Sequence, residues 1–260
     1  TGVKNGLAGS VSTRFTLGIH LSKYGPSILR AILSVFWFAS QTLAGGLAIQ
    51  ALLRELTGTS YNLIVISFIF AVFQTIIAIV GFESLKITTR VVFPLKLLGM
   101  GYIMYLIMSS NIPEFQYSYI VSVEAQNPGW GAFALSASIM AGIYFTLFTD
   151  AADLTRYSRS KVDVYVGVLG GAIFSVAFIS FIGAYSAIAI GNWNIFDAAT
   201  QLNPATFIII FLILMVVLDN WTINILNLYT GGLCLVISFP KLGRFWSTVI
   251  CGIVATIASC

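Results

Sequence analysis

The chain of 260 residues is 58% hydrophobic and only 8% charged, against about 25% charged residues in an ordinary soluble domain. That excludes a water-soluble globular protein. The formal net charge of +4 would suit a nucleic-acid surface in a soluble protein, but here the basic residues sort by loop, as shown below.

Apolar runs of membrane-spanning length, roughly 20 residues of helix, recur along the chain. In chain order they cover 31–53, 62–82, 91–110, 131–157, 164–190, 205–238 and 245–260. Strict alternation of apolar and polar residues is missing, so a transmembrane β-barrel fits poorly. The expected fold class is an all-α polytopic membrane protein, with 1–260 as one transmembrane domain. The chain starts at Thr1 without a signal peptide and stops inside an apolar run, so it reads as a fragment truncated at both ends. Cys234, Cys251 and Cys260 lie in apolar surroundings without ligand spacing, which points to neither disulfides nor a metal cluster.

Placing the start of the chain in the cytoplasm puts Lys4, Arg14, Lys23, Arg30, Lys86, Arg90, Arg156, Arg159, Lys161, Lys241 and Arg244 inside. Lys96 then lies in the cytoplasmic part of the third span, and of the 13 basic residues Arg54 alone is outside. This is the positive-inside pattern. Glu114, Glu124 and Asp197 fall in outer loops, and Trp130 and Trp193 flank spans at the outer boundary, where indoles anchor at the headgroups. The single histidine, His20, is too isolated to serve as a ligand or base.

Three stretches carry polar groups where lipid would penalise them. The first span contains "FWFASQTLAGG", in which Trp37 and Gln41, four residues apart, point the same way. An indole beside a carboxamide suits a flat hydrogen-bonding ring, although ordinary packing of a Trp explains it too. Gly45 and Gly46 would let another backbone come near. The fourth span has Gly142 near mid-membrane, then Tyr144 and Thr146, which suggests a helix broken at a binding site. Asp150, Asp153 and Arg156 follow at i, i+3 spacing as a charge network at the cytoplasmic mouth, serving either structure or gating.

The sixth span reads "VVLDNWTINILNLY" over 216–229. At about 100° per residue, Asn220, Asn224 and Asn227 share one narrow face, with Asp219 and Thr222 on another. Such groups must look into protein or a water-filled cavity. Helix–helix hydrogen bonding is the plain explanation and a binding site the sharper one.

Taken together, these motifs resemble the nucleobase:cation symporter family. The stretch "WFASQTLAGG" at 37–46 is similar to its Trp-Phe-x-x-Gln-Thr-x-x-Gly-Gly signature, and "TDAADLTRYSRS" at 149–160 to the Asn-x-x-Asp-x-Ser/Thr-Arg signature of its sixth helix. "DNWTINILNLYTGGL" at 219–233 looks like the eighth helix of cytosine permeases, and the start of the chain like the loop before helix three.

The resemblance implies a twelve-helix, leucine-transporter-type inverted-repeat fold, of which this chain covers helices three to nine. It implies a cation-coupled secondary transporter in the plasma membrane, importing a nucleobase or related planar heterocycle, cytosine-like above others. It assigns Trp37 and Tyr144 as stacking residues and Gln41 and Asn224 as edge readers, with Asn220 and Asn227 in support. Asp219 and Thr222 match cation-site positions. The coupling ion would be sodium or a proton, with no other metal or cofactor, no nucleic acid and no obligate protein partner beyond the lipid bilayer. Helix one normally completes both sites, so this stretch alone should not transport. Ile223 stands where a sodium-ligating hydroxyl is expected, Asp219 adds an unusual carboxylate, and Asp150 replaces a frequent asparagine. An intramembrane aspartyl protease using Asp150 or Asp153 with Asp219 is a rival reading, as is a channel.

Overall fold

The computed structural model describes the backbone of residues 2–80, 82–124 and 129–260, and their side chains except at 2, 10, 80, 82–88 and 143–150. Every regular element among them is helical. We label the long helices α1 (Pro26–Thr57), α2 (Leu63–Val80), α3 (Phe82–Met108), α4 (Trp130–Thr155), α5 (Lys161–Ile190), α6 (Thr206–Ser238) and α7 (Gly243–Ala258). Among the described residues, five helices are long and apolar enough to cross a membrane: α1, the Thr89–Met108 part of α3, α5, α6 and the stretch Pro240–Ala258 containing α7. Leu63–Ile79 and Trp130–Gly142 are shorter apolar helices.

Local chemistry sets the ends of α1. Pro26 occupies its first position, where a missing N–H costs nothing. Gly58 follows its last residue at φ +70, and its N–H caps the Arg54 carbonyl at 2.8 Å. α4 is continuous from Trp130 to Thr155, so the break expected near Gly142 does not occur. A small residue lowers helix propensity but leaves the backbone hydrogen bonds intact, which is why it does not break the helix. The irregularity lies in α5, where Tyr165–Gly170 form a π-helical turn. A Cβ added at Gly170 or Gly171 would meet no atom within 4 Å beyond its own stretch of helix, so the glycines there do not draw another helix close.

α2 shows what solvent the chain is built for. Its buried side is Ser67, Phe70, Ala71, Gln74 and Ala78, recurring every three or four residues. The opposite side exposes Val65, Phe68, Ile69, Phe73 and Ile76. Polar and small groups inside with large apolar groups outside is the arrangement a helix adopts in lipid.

The chain forms two compact units. The first comprises Thr1–Leu33, Glu124–Phe178 and Thr230–Ser247. There the buried Asp153 accepts from the Gly9 N–H at 3.2 Å, capping the short helix Gly9–Ser12, and Arg156 and Arg30 lie within its electrostatic reach. Arg30 donates to the Thr230 hydroxyl at 3.3 Å. The side chain of Asp150, the third member expected in this network, lies outside the described residues.

The second unit comprises Ser34–Val123, Ile179–Tyr229 and Thr248–Cys260. Its core includes the fully buried Phe38, Leu52, Ile107, Leu212, Ile225 and Leu228. The Tyr185 hydroxyl donates to the Phe115 carbonyl at 2.6 Å, which satisfies a polar tip inside that core.

Candidate functional site

All the site geometry described here belongs to the second unit. On α6 the asparagine face is inward: Asn224 is 0% exposed, Asn220 7% and Asn227 6%. Asp219, on the neighbouring face, keeps 41% of its side chain exposed.

Asn224 is the centre of a buried knot of three helices. Its amide reaches Gln74 Oε1 on α2 at 2.5 Å, Thr42 Oγ1 on α1 at 3.1 Å and the Phe38 carbonyl at 3.4 Å. Thr42 donates in turn to Gln74 Oε1 at 3.2 Å, and Asn227 donates to Asn224 Oδ1 at 3.2 Å. Three acceptors thus share the two amide hydrogens of Asn224, so this residue ties helices together and has no hydrogen left for a ligand. Thr42 and Gln74 carry a legible signal as lone polar groups in apolar runs, but their pairing with Asn224 does not show in the sequence.

Asn220 is placed differently. Its amide bonds back to the Val216 carbonyl at 3.1 Å, while its buried Oδ1 has no partner. It lines a cavity of about 160 Å³ together with Gln41, Gly45, Lys96, Trp193, Asn194 and Asp219. Drug-sized pockets run to roughly 300–1,000 Å³, so this one suits a compact ligand. One helical turn before Gln41, Trp37 is half-buried and its indole N–H is an orphan donor. Glycine fits at position 45 because a Cβ there would meet Asn220 Nδ2 at 2.7 Å and Phe70 Cε1 at 2.8 Å. At Gly46 the close neighbour is Ser67 Oγ, at 2.8 Å. The close approach expected at this pair is therefore made by side chains, not by a second backbone.

The carboxylate of Asp219 accepts from Lys96 Nζ, on α3, at 2.5 Å. Lys96, counted by the charge pattern with the cytoplasmic flank, has its counter-ion on α6. The Thr222 hydroxyl donates to the Leu218 carbonyl at 2.9 Å, a bond within its own helix. Of the two side chains expected at the cation site, Asp219 is thus paired with an ammonium, while the Thr222 oxygen keeps its lone pairs. Tyr144, the second expected stacking residue, lies outside the described side chains.

Trp193 and Asn194 also border a second cavity of about 420 Å³, lined by Gln50, Arg54, Ser60 and Asp197 among others. Asn192 donates to Asp197 at 2.5 Å and Asn194 at 3.3 Å, and Asn194 caps the helix Ile195–Thr200. Burial pushes the Asp197 carboxyl above its ordinary value of 3.8, and nearby Arg54 offsets part of this. The folded state thus holds that proton more tightly than the unfolded chain. The resulting stability is fully present below 3.8 and is lost as pH rises through the raised value. Asp197→Asn should flatten this slope, which thermal melts of both proteins across that window will check.

Over residues 1–260 the chain matches the family described as permeases for cytosine/purines, uracil, thiamine and allantoin. It belongs to that family. The chain is similar to the hydantoin permease of Microbacterium maritypicum, 29% identical over 266 residues, covering 95% of this chain and 53% of the relative. It is similar also to the allantoin permease of Bacillus subtilis (strain 168), 25% identical over 249 residues, covering 86% and 49%. A solved structure of Mhp1 in an inward-facing conformation superposes with a TM-score of 0.77 at 25% identity, covering 96% of this chain and 56% of that one. The chain therefore spans about half the length of the relatives it matches. The fold is part of the leucine-transporter type, and this permease-family chain is a multi-pass membrane protein.

Proposed function

We propose that this permease-family chain is the central portion of a secondary transporter that imports a nucleobase or related planar heterocycle by alternating access, driven by a cation gradient. The observation that carries the reading is the cavity that Gln41 and Asn220 line together, where the Asn220 carboxamide keeps a buried Oδ1 without a partner. A turn of the Asn220 side chain would bring that acceptor to the ring N–H of a ligand, and the Gln41 carboxamide can both donate and accept along the ring edge. Trp37, half-buried on the same face of α1, offers an aromatic surface for stacking. The hydantoin and allantoin permeases among the relatives support small ring ureides alongside cytosine-like bases as candidates. No cofactor takes part, the coupling ion being sodium or a proton; the charge pattern supports a cytoplasmic chain start, and a plasma-membrane location goes with the import role.

The protease alternative gains no support from the carboxylates, since Asp219 is engaged by Lys96 and Asp153 by the Gly9 N–H. Saturable uptake in place of conductance separates a transporter from a channel.

The test measures binding of cytosine, hydantoin and allantoin by the full-length protein. Gln41→Leu and Asn220→Leu should each weaken binding at least about tenfold and change the rank order of the ligands, because each leaves polar groups unpaired in a dry site. Trp37→Ala should cost about 1–3 kcal/mol of affinity, and Trp37→Phe less. Folded variants that keep wild-type affinities and ranking would sink the assignment.

A further inference from the structure

This inference rests on the transport reading and concerns which of its two coupling ions the site admits. Lys96 and Asp219 are the charged side chains among the described residues lining the smaller cavity, and they engage each other at 2.5 Å. We propose that the ammonium of Lys96 takes the place of a sodium ion on Asp219, so that the site assembles around substrate without sodium.

The chemistry of the surrounding groups supports the exchange. Hard cations gather several oxygen ligands. Here the carboxylate is already engaged by an ammonium and Ile223 brings no oxygen at all, which leaves the Thr222 hydroxyl oxygen as the remaining side-chain ligand expected on this face. An ammonium is a compact charge with three donors, which suits one carboxylate and a few neighbouring acceptors without needing a shell of oxygens. Both groups lie well inside long helices, Lys96 on α3 and Asp219 on α6. An unpaired carboxylate at such a depth would be costly, so a lysine tethered opposite it supplies permanently what a diffusible cation supplies only on arrival. Ion binding that would bring α6 into its substrate-ready position is then built into the chain, and sodium has no seat at this carboxylate. Coupling falls to the proton, the other ion the transport reading admits.

The experiment uses full-length protein in sodium chloride and in matched choline chloride. It reads the melting temperature without substrate and the Kd for cytosine, hydantoin and allantoin. Wild type should melt at the same temperature in both salts, with Kd values agreeing within about twofold. Lys96→Met bares the carboxylate and opens a cation seat. It should gain a sodium-dependent rise in melting temperature and bind substrate at least about tenfold more tightly in sodium than in choline. Lys96→Arg keeps the charge and should stay indifferent to sodium.

A saturable sodium response in wild type, or a folded Lys96→Met that ignores sodium, overturns the proposal. If Lys96→Met does not fold in either salt, the wild-type and Lys96→Arg proteins decide, and a sodium response in either one overturns it. If none of the three compounds binds, the transport reading fails on that count. The substrate-free melts then decide between sodium binding and sodium indifference on their own.

Discussion

Replacing Asn224 by leucine is expected to lower the stability of the full-length protein by about 2–4 kcal/mol, because a buried acceptor or donor left unmet costs about 1–3 kcal/mol and this knot leaves several. Gln74 Oε1, the Thr42 hydroxyl and the Phe38 carbonyl would all lose the amide that bridges them, and Asn227 would lose the acceptor it donates to. Substrate affinity should fall as well, through loosening of α1 against α6 rather than through a lost ligand contact. The double-mutant cycle with Gln74→Leu distinguishes the two. Each single change orphans the other partner, whereas the double replacement removes both, so its loss of stability should fall short of the sum by about 1 kcal/mol or more. Strict additivity, or an Asn224→Leu protein with an unchanged melting temperature and an altered ranking of ligands, would return Asn224 to the role of edge reader.

The asparagine triplet also shows how far the sequence could be read. A rotation of about 100° per residue was enough to put Asn220, Asn224 and Asn227 on one face and Asp219 on another. The buried asparagines and the half-open carboxylate follow that division. Helical class was legible for a similar reason: long apolar runs leave the backbone no partner except itself. What periodicity along one helix cannot supply is the partner on the next. Gln74 lies 150 residues from Asn224 and Lys96 lies 123 from Asp219, and no local rule connects them. For this reason neither the hydrogen-bond knot around Asn224 nor the ion pair of Asp219 is legible from α6 by itself. Asn220, read from the sequence as a support, is the asparagine with an unmet acceptor on the cavity wall. The break expected at Gly142 failed on different grounds. A glycine makes a bend permissible without making it favourable, and α4 keeps its hydrogen-bond ladder.

Gly45→Ala should have the other large effect, out of proportion to one added methyl. The new Cβ would sit 2.7 Å from Asn220 Nδ2 and 2.8 Å from Phe70 Cε1, both well inside contact distance. Neither neighbour can yield freely. Phe70 is 6% exposed and hemmed in on α2, while the Asn220 amide is held by the Val216 carbonyl. Overpacking of this kind costs about 1–3 kcal/mol and shifts whichever contact is weaker. Here that contact is the Asn220 side chain, which borders the cavity where Phe70 does not, and the strain falls on its bond to the Val216 carbonyl. Gly45→Ala should therefore lower the melting temperature and also displace the Asn220 side chain that lines the cavity, weakening substrate binding about as much as Asn220→Leu does. Combining the two changes tests the route. If the methyl acts through Asn220, the double variant should bind no more weakly than either single one. Two losses of affinity that simply add would mean that Gly45 touches the ligand site by another path.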